Sequence, residues 1–391
     1  MDSEPKSKAC EVLIVSAGVG AGHNQAARAV VEGLRLADPE LAVEHVDVLT
    51  FTSRAFRAYY NGGFKLSMTR LPRAYGVGFW VTNRPNTAAR GVSERIRLAS
   101  EWRSLAKFRQ FLLDRRPPLV VHTHFLPPPA VARMVGEGAL QARQMVVVTD
   151  INVHRWWYSE GVERYFLPHE FSAQQVRRWG VAEERITVSG IPIHPKWIAP
   201  LDREKVLADW RLPADKDIVI LTGGTEFTCG PIVSIARGIL AACPTAVVVV
   251  LAGRNKELLA ELSREQDAGR RLFPQGFTDR SQELVEVCSM MITKPGGITT
   301  AECLSKGAPM ILLNPVPGQE GGNADFLRRE GAAVVTRRPA EVVEQAGRLL
   351  ADKAELARMS AAARRLYKPG TQTIVEHVLR ALRQQDKTTS D

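Results

Sequence analysis

The chain lacks the marks of several protein classes. Its five cysteines (Cys10, Cys229, Cys243, Cys288 and Cys303) are odd in number and form no CxxC pair. That argues against a disulfide framework or a structural zinc site and points to a reducing compartment. No long hydrophobic run is present: the longest, 246–252, falls far short of the roughly 20 residues that span a bilayer. The N-terminus begins acidic and polar (MDSEPKSKAC), and the apolar stretch after it reads as a short strand rather than a secretory signal. There is no GxxxxGK[ST] loop, so phosphoryl transfer from ATP lacks its usual cradle. Negative charge is missing too, from Asp47 all the way to Glu94.

What is present suits a large folded chain. With 391 residues, 45% of them hydrophobic and 24% charged, there is enough apolar material for two full cores. Only the ends, 1–8 and from about Gln384 onward, read as loose. The net charge of +10 is unevenly placed: between Arg54 and Arg116 stand 14 Arg or Lys against three acids, Glu94, Glu101 and Asp114. Aromatics are interleaved with them at Phe51, Phe56, Tyr59, Tyr60, Phe64, Tyr75, Phe79 and Trp80. Such a stretch calls for an anionic partner, a lipid surface before nucleic acid, because no nucleic-acid motif accompanies the charge. A helical insert with its aromatics turned inward is the plainer alternative.

Short apolar runs alternate with helical patterns along both halves. Strands are expected at 11–17, 42–48, 119–123, 145–149, 164–167 and 186–188, then again at 217–222, 246–252, 273–277, 290–293, 310–313 and 332–335. This alternation implies parallel sheets with helices on both faces. The segment around 195–212 reads as a hinge. The fold expectation is therefore α/β: two Rossmann-like doubly wound domains, 1–198 and 199–391, facing each other across a cleft, with ligands at the carboxyl ends of strands.

Four motifs sit at such strand ends. The first is the Gly-rich turn from Ser16 to Gly22, followed by His23 and Asn24 at a helix start. Its glycines let a backbone approach a ligand, and His23 suits a general base near neutral pH. The alternation of Gly18, Gly20 and Gly22 is not the dinucleotide fingerprint. The second joins Thr149 and Asp150 to Asn152, His154, Trp156 and Trp157. Asp150 and His154 are candidates to orient or deprotonate an acceptor hydroxyl, against the alternative of an Asp capping the next turn. The tryptophans suit a sugar, a membrane interface or a core equally. In the third, Lys294, Gly296 and Gly297 precede a helix containing Glu302, an arrangement that cradles a diphosphate and takes ribose hydroxyls. The fourth, Pro315 to Asn323, offers Gln319, Glu320 and Asn323 from a glycine-opened loop, which suits the hydroxyls of a hexose. The one DxD, Asp215 to Asp217, precedes a strand instead of ending one, so no metal is expected.

Taken in order, these strings resemble glycosyltransferase family 28, and within it the glycerolipid branch of monogalactosyldiacylglycerol synthases and processive diacylglycerol glucosyltransferases. The resemblance rests on Gly22-His23, Thr149-Asp150 with His154, Gly190 to Ile193, Gly223-Gly224, Gly253 to Lys256, Gly276-Phe277, Ile292 to Ile298 and Pro315 to Glu320. It runs over nearly the whole chain, about 11 to 367. It implies a GT-B fold and metal-independent, inverting transfer of glucose or galactose from UDP-glucose or UDP-galactose to diacylglycerol or a glycolipid. Gly223 and Gly224 would belong to the donor site. Gly276 and Phe277 would lie near the uracil; Lys294, Gly296 and Gly297 would hold the diphosphate, and Glu302 the ribose. Gln319, Glu320 and Asn323 would touch the sugar. His23 leads as base, with Asp150 next. No cofactor is implied, since the UDP-sugar is a co-substrate. The partners are the donor, the lipid and an anionic membrane surface, not nucleic acid; the place is cytoplasmic, peripheral on the inner face of the cell membrane, with 51–116 docking. Asn24 stands where the plant galactosyl enzymes tend to have Arg, which bears on acceptor and sugar. Alternatives are N-acetylglucosaminyl transfer to a lipid-linked muropeptide, a sugar-nucleotide epimerase and a non-catalytic UDP-sugar sensor.

Overall fold

The computed structural model describes the backbone at residues 10–83, 88–223 and 230–389, and side chains there except at 61, 64–70, 72, 88–90 and 385–389. The chain forms two compact units, Met1–Pro195 with Lys368–Asp391, and Lys196–Tyr367.

The first unit contains β1 (Val12–Ser16), α1 (Gly22–Ala37), β2 (Val43–Asp47), α2 (Arg54–Arg70), α3 (Pro72–Thr82), α4 (Ala88–Ser104) and α5 (Ala106–Arg115). It continues with β3 (Leu119–His122), α6 (Pro128–Gly136), β4 (Arg143–Val147), β5 (Arg164–Leu167), α7 (Glu170–Arg177) and β6 (Ile186–Val188). The second unit contains α8 (Arg203–Asp209), β7 (Asp217–Thr222), α9 (Ile232–Ala242), β8 (Ala246–Gly253), α10 (Lys256–Ser263), β9 (Leu272–Gly276) and α11 (Ser281–Val287). It ends with β10 (Met290–Thr293), α12 (Gly297–Lys306), β11 (Met310–Leu313), α13 (Gln319–Arg329), β12 (Ala333–Thr336), α14 (Pro339–Ala351) and α15 (Lys353–Leu366), after which α16 (Gly370–Thr389) returns to the first unit.

Both sheets are parallel throughout. The central strands are buried on both faces, which is why β1 (VLIVS) and β8 (AVVVVLAG) read as unbroken apolar runs without alternation. The first sheet has the order β2-β1-β3-β4-β5-β6, and the second β12-β11-β10-β7-β8-β9. Each order reverses once, at β1/β3 and at β7/β10. The loops leaving those strands part to opposite faces, and the gap between them is where a doubly wound sheet takes its ligand.

Two sequence expectations need correction. The boundary that gave all of 199–391 to the second domain misplaces α16. Its stripe of Ile374, Val375, Val378 and Ala381 joins the core under the first sheet, against Val12, Ile14, Ala27, Val30 and Leu34. Gly33 makes that approach possible, since a Cβ there would lie 2.6 Å from the Thr371 methyl. Periodicity shows that a helix has an apolar face but not which sheet it covers. The tail expected to be loose from Gln384 is also helical, as α16 runs to Thr389.

The basic stretch 51–116 is folded into α2 to α5. Phe51, Phe56 and Tyr60 turn inward onto the cluster around Leu49, Leu105, Phe108 and Leu112. Part of the charge is spent on the fold: the Arg57 guanidinium donates to the Leu49 carbonyl at 2.9 Å and to that of Thr50 at 3.1 Å.

Candidate functional site

At the β1/β3 switch, the Gly-rich turn leaves β1 and opens α1. Gly18 is required there: its N–H donates to Asp47 Oδ1 at 3.1 Å, and a Cβ would meet Asp47 Oδ2 at 2.4 Å. The first turn of α1 has no side-chain cap, so its amides are not satisfied by a side chain from Ala21. Ser16 Oγ donates to Asn24 Oδ1 at 2.5 Å and lies 2.8 Å from His45 Nε2, which fixes Asn24 beside His23.

His23 is held from three sides. Its Nδ1 lies 2.8 Å from the Thr123 carbonyl and 3.1 Å from Thr149 Oγ1, while Thr123 Oγ1 donates back to the His23 carbonyl at 2.9 Å. A carbonyl can only accept, so Nδ1 carries the proton and Nε2 keeps a lone pair. Burial pushes the imidazole down to about 4, and the Thr123 bond opposes that shift. At neutral pH His23 is therefore an uncharged acceptor. The first and second motifs thus meet at one ring, through Thr149.

Asp150 is buried directly after Thr149. The loop it opens is braced by α7: Ser172 Oγ donates to the Ile151 carbonyl at 2.7 Å, and the Val153 N–H to Gln175 Oε1 at 2.8 Å. His154 has a different place from the one expected. Its Nδ1 accepts from the Trp156 N–H at 3.2 Å, and its Nε2 lies 2.9 Å from Thr82 Oγ1. Both nitrogens are spent on the loop and on the end of α3, so His154 positions the loop and is not placed to take a proton. Asn83 completes the junction by accepting the Arg155 N–H at 2.7 Å. Trp157 is core, whereas Trp156 is half-buried between Phe125 and His154 with the Arg97 guanidinium 5.1 Å from its ring centre.

At the β7/β10 switch, Gly223 follows β7 and the Lys294-Pro-Gly-Gly turn follows β10. Gly224 lies outside the described residues. Gly296 opens α12 without a side-chain cap, and a Cβ on it would find only Thr299 Oγ1, at 4.0 Å. The helix start is thus both uncapped and sterically open, as a diphosphate requires. Glu302, in the second turn of α12, is a half-buried carboxyl that burial pushes up to about 8, with the Lys196 ammonium and the Trp197 indole N–H pulling the other way. Gly276 pairs with Gly253 at the ends of β9 and β8, and next to it Phe277 is 64% exposed under the Arg254 guanidinium, 5.0 Å from the ring centre.

The fourth motif divides. Gln319 opens α13. Glu320 Oε2 accepts the Val316 N–H at 2.9 Å, closing its own loop. Asn323 is fully buried and donates from Nδ2 to the Pro295 carbonyl at 3.1 Å. It therefore ties the fourth motif to the third and shapes the lysine turn, instead of facing a sugar as expected. Asp217 of the DxD lies at the opposite end of β7, in bonds with Ser289 at 3.0 Å and Lys353 at 2.5 Å.

Sequence reasoning gave no site role to Thr123, His124 or Arg97, named Tyr60 only among the aromatics of the basic stretch, and included Arg254 only within the string Gly253 to Lys256. The string His122-Thr123-His124 at the end of an expected strand was the available signal for the first two. Tyr60 and Arg97 are set by helix packing that no local pattern encodes.

Two doubly wound Rossmann-type sheets, one with an open lysine–glycine turn and the other with a neutral, half-buried histidine at its switch point, make up the GT-B fold. The glycosyltransferase SnogD from Streptomyces nogalater has the same fold, with a TM-score of 0.58 at 14% identity over 96% of this chain and 100% of that one. Residues 23–193 match the family model for monogalactosyldiacylglycerol (MGDG) synthase. A processive diacylglycerol beta-glucosyltransferase of Bacillus cytotoxicus is 32% identical over 264 residues, 67% of each chain. Another, from Bacillus cereus, is 29% identical over 374 residues, 92% of this chain and 90% of its own. The chain belongs to this diacylglycerol glycosyltransferase family.

Proposed function

We propose that the protein moves a hexose, glucose or galactose, from a UDP-sugar to diacylglycerol or a glycolipid. The observation that carries the reading is the tautomer of His23. With Nδ1–H held by Thr123, the Nε2 lone pair is the group that takes the acceptor's hydroxyl proton. The acceptor oxygen then bonds to the anomeric carbon as the bond to UDP breaks, with inversion. Asp150, one residue beyond Thr149, is the second candidate to orient that hydroxyl. On the donor side, Lys294 and the first turn of α12 meet the charge growing on the departing diphosphate, so the reaction needs neither metal nor organic cofactor. Glu302 takes the ribose, Phe277 with Arg254 flanks the base, and Gln319 reaches the sugar.

The acceptor is a lipid, which places the reaction at a membrane surface. Among the described residues no helix is long and apolar enough to cross a membrane. However, Val77, Trp80 and Val81 on α3 are exposed at helical spacing, as are Val92 and Ile96 on α4, and Tyr59 and Leu71 are exposed as well. Apolar side chains on a basic face fit an interfacial contact with anionic lipid, peripheral on the inner face of the cell membrane.

Labelled UDP-glucose and UDP-galactose, each offered with diacylglycerol in liposomes, test the reading. A glycolipid from either donor supports it. UDP release only with a lipid-linked muropeptide would move the chain to N-acetylglucosaminyl transfer, and donor binding without turnover would leave a sensor.

A further inference from the structure

The buried ring behind His23 belongs to His124, two residues beyond the end of β3 and next to the Thr123 whose carbonyl holds His23. The two rings meet edge to face, with centres 4.6 Å apart and planes at 82°. His124 Nδ1 accepts the Leu126 N–H at 3.0 Å, so its own proton sits on Nε2. Its remaining surface is covered by Phe125 at 4.1 Å, Tyr60 at 6.2 Å and Trp157 at 6.3 Å between ring centres. An imidazole in a box of aromatic rings needs a reason, since a phenyl ring would fill the same space with no polar atoms to satisfy. Two reasons are visible. Nδ1 closes the turn directly after Thr123, and the ring walls off one side of His23.

We infer that His124 is a positioning residue for the transfer reaction: it fixes the chain directly after Thr123, whose carbonyl holds His23 Nδ1, and keeps water off the His23 ring, leaving Nε2 aimed at the acceptor hydroxyl. This rests on the reading of His23 as the acceptor-side base. Burial and the nearby His23 ring both hold His124 well below the usual histidine range, so it stays neutral while His23 carries the transferred proton. Among titratable side chains, Tyr60 of α2 faces His124, with Glu101 and Arg97 of α4 acting on Tyr60 in turn, and Asp150 follows the Thr149 whose hydroxyl meets His23.

Two substitutions separate the ring from its hydrogen bond. Asn at 124 can still accept an N–H two residues on, as in an Asx turn, but removes the wall. Phe keeps the wall and gives up the bond. For His124→Asn, kcat should fall at least ten-fold, the acid limb of the kcat–pH profile should move up toward the ordinary histidine value, and KM for the UDP-sugar should stay within two-fold. His124→Phe should leave the acid limb where it is in the parent. Wild-type kcat and an unmoved acid limb in His124→Asn would overturn the inference. If His124→Asn does not fold, 15N ring shifts of the unaltered protein decide. They should show the proton on Nδ1 of His23 and on Nε2 of His124, and either opposite tautomer overturns the inference. His23→Ala separates the two levels: normal turnover there refutes the base itself, whereas an inactive His23→Ala beside a normal His124→Asn refutes only the role of His124.

Discussion

Replacing Glu302 by Gln should make the empty protein more stable and the nucleotide complex weaker. The carboxyl is held at about 8 by burial, far above its ordinary value near 4.5. Because the folded state binds this proton more tightly than the unfolded chain, the stability it contributes is complete below pH 4.5 and is lost as pH rises toward 8. At pH 7 the difference spans about 2.5 pH units, or roughly 3 kcal/mol at most, at about 1.36 kcal/mol per unit. A Gln side chain does not ionise, and its Oε1 can still accept the Trp197 indole N–H. The variant should therefore gain up to roughly 3 kcal/mol at pH 7, a rise of about 6–12 °C for a unit of this size. The gain should vanish below pH 4.5. Binding should move the other way: a carboxylate that takes ribose hydroxyls is worth about 1.5–3 kcal/mol, so Kd for UDP should rise roughly ten- to 150-fold. Thermal unfolding across pH 4–8, with calorimetric titration of UDP, measures both. A variant less stable than the parent at pH 7, or a difference that does not change with pH, would refute the account of Glu302.

On the acceptor side, His23→Ala should cut kcat by 100-fold or more, a general base being worth about 10²–10⁴, and leave UDP affinity in calorimetry within two-fold. Asn323→Ala frees the Pro295 carbonyl and should cost about 1–3 kcal/mol of stability while raising KM for the UDP-sugar, since it loosens the lysine turn; an unchanged KM in steady-state assays would detach it from that turn. In the core under the first sheet, Ile374→Ala should cost about 2–5 kcal/mol in denaturant titration and expose the first unit to protease before the second. The basic face of α2 to α4 is probed with Arg54, Arg73 and Arg95 reversed to Glu and, separately, with Trp80 changed to Ser. Co-sedimentation with anionic liposomes should fall for both variants, whereas equal sedimentation on neutral and anionic liposomes alike would remove the docking face.

The fold was legible where one physical signal sufficed. Strands buried on both faces read as apolar runs between turn signals and helix periods, so the strands of both sheets could be located along the chain, though not their order within each sheet. What stayed hidden depends on contacts far apart in the chain. The stripe at Ile374, Val375 and Val378 is visible as a stripe, but that it closes the first sheet follows only from the fit of Thr371 and Val375 against Gly33. The site shows the same division. Lys294, Gly296 and Glu302 could be proposed together from the sequence because turn, helix start and carboxyl lie within nine residues of one another. His154 and Asn323 were polar residues in the right strings, yet their partners, Thr82 and the Pro295 carbonyl, are 72 and 28 residues away. Residue type announces that a group needs a partner; distant packing decides whether the partner is substrate or protein.

The two perturbed groups fit together chemically. His23 is pushed down to about 4 and Glu302 up to about 8, so near neutral pH both are uncharged in the unliganded protein. In each case burial is the leading cause, and burial penalises charge only until something compensates it. Ribose hydroxyls donating to Glu302 would supply that compensation on the donor side, favouring the carboxylate when nucleotide is bound. For His23 in its proposed role as base, compensation would come only when the acceptor hydroxyl gives up its proton to form the new glycosidic bond. A base so depressed is a weak proton acceptor toward water, which limits idle protonation, and becomes effective as the acceptor oxygen loses electron density to the anomeric carbon and its proton grows acidic. In these proposed roles burial would tie the charge on Glu302 to the presence of nucleotide and the charge on His23 to progress along the reaction, which is where a catalyst gains by binding more strongly.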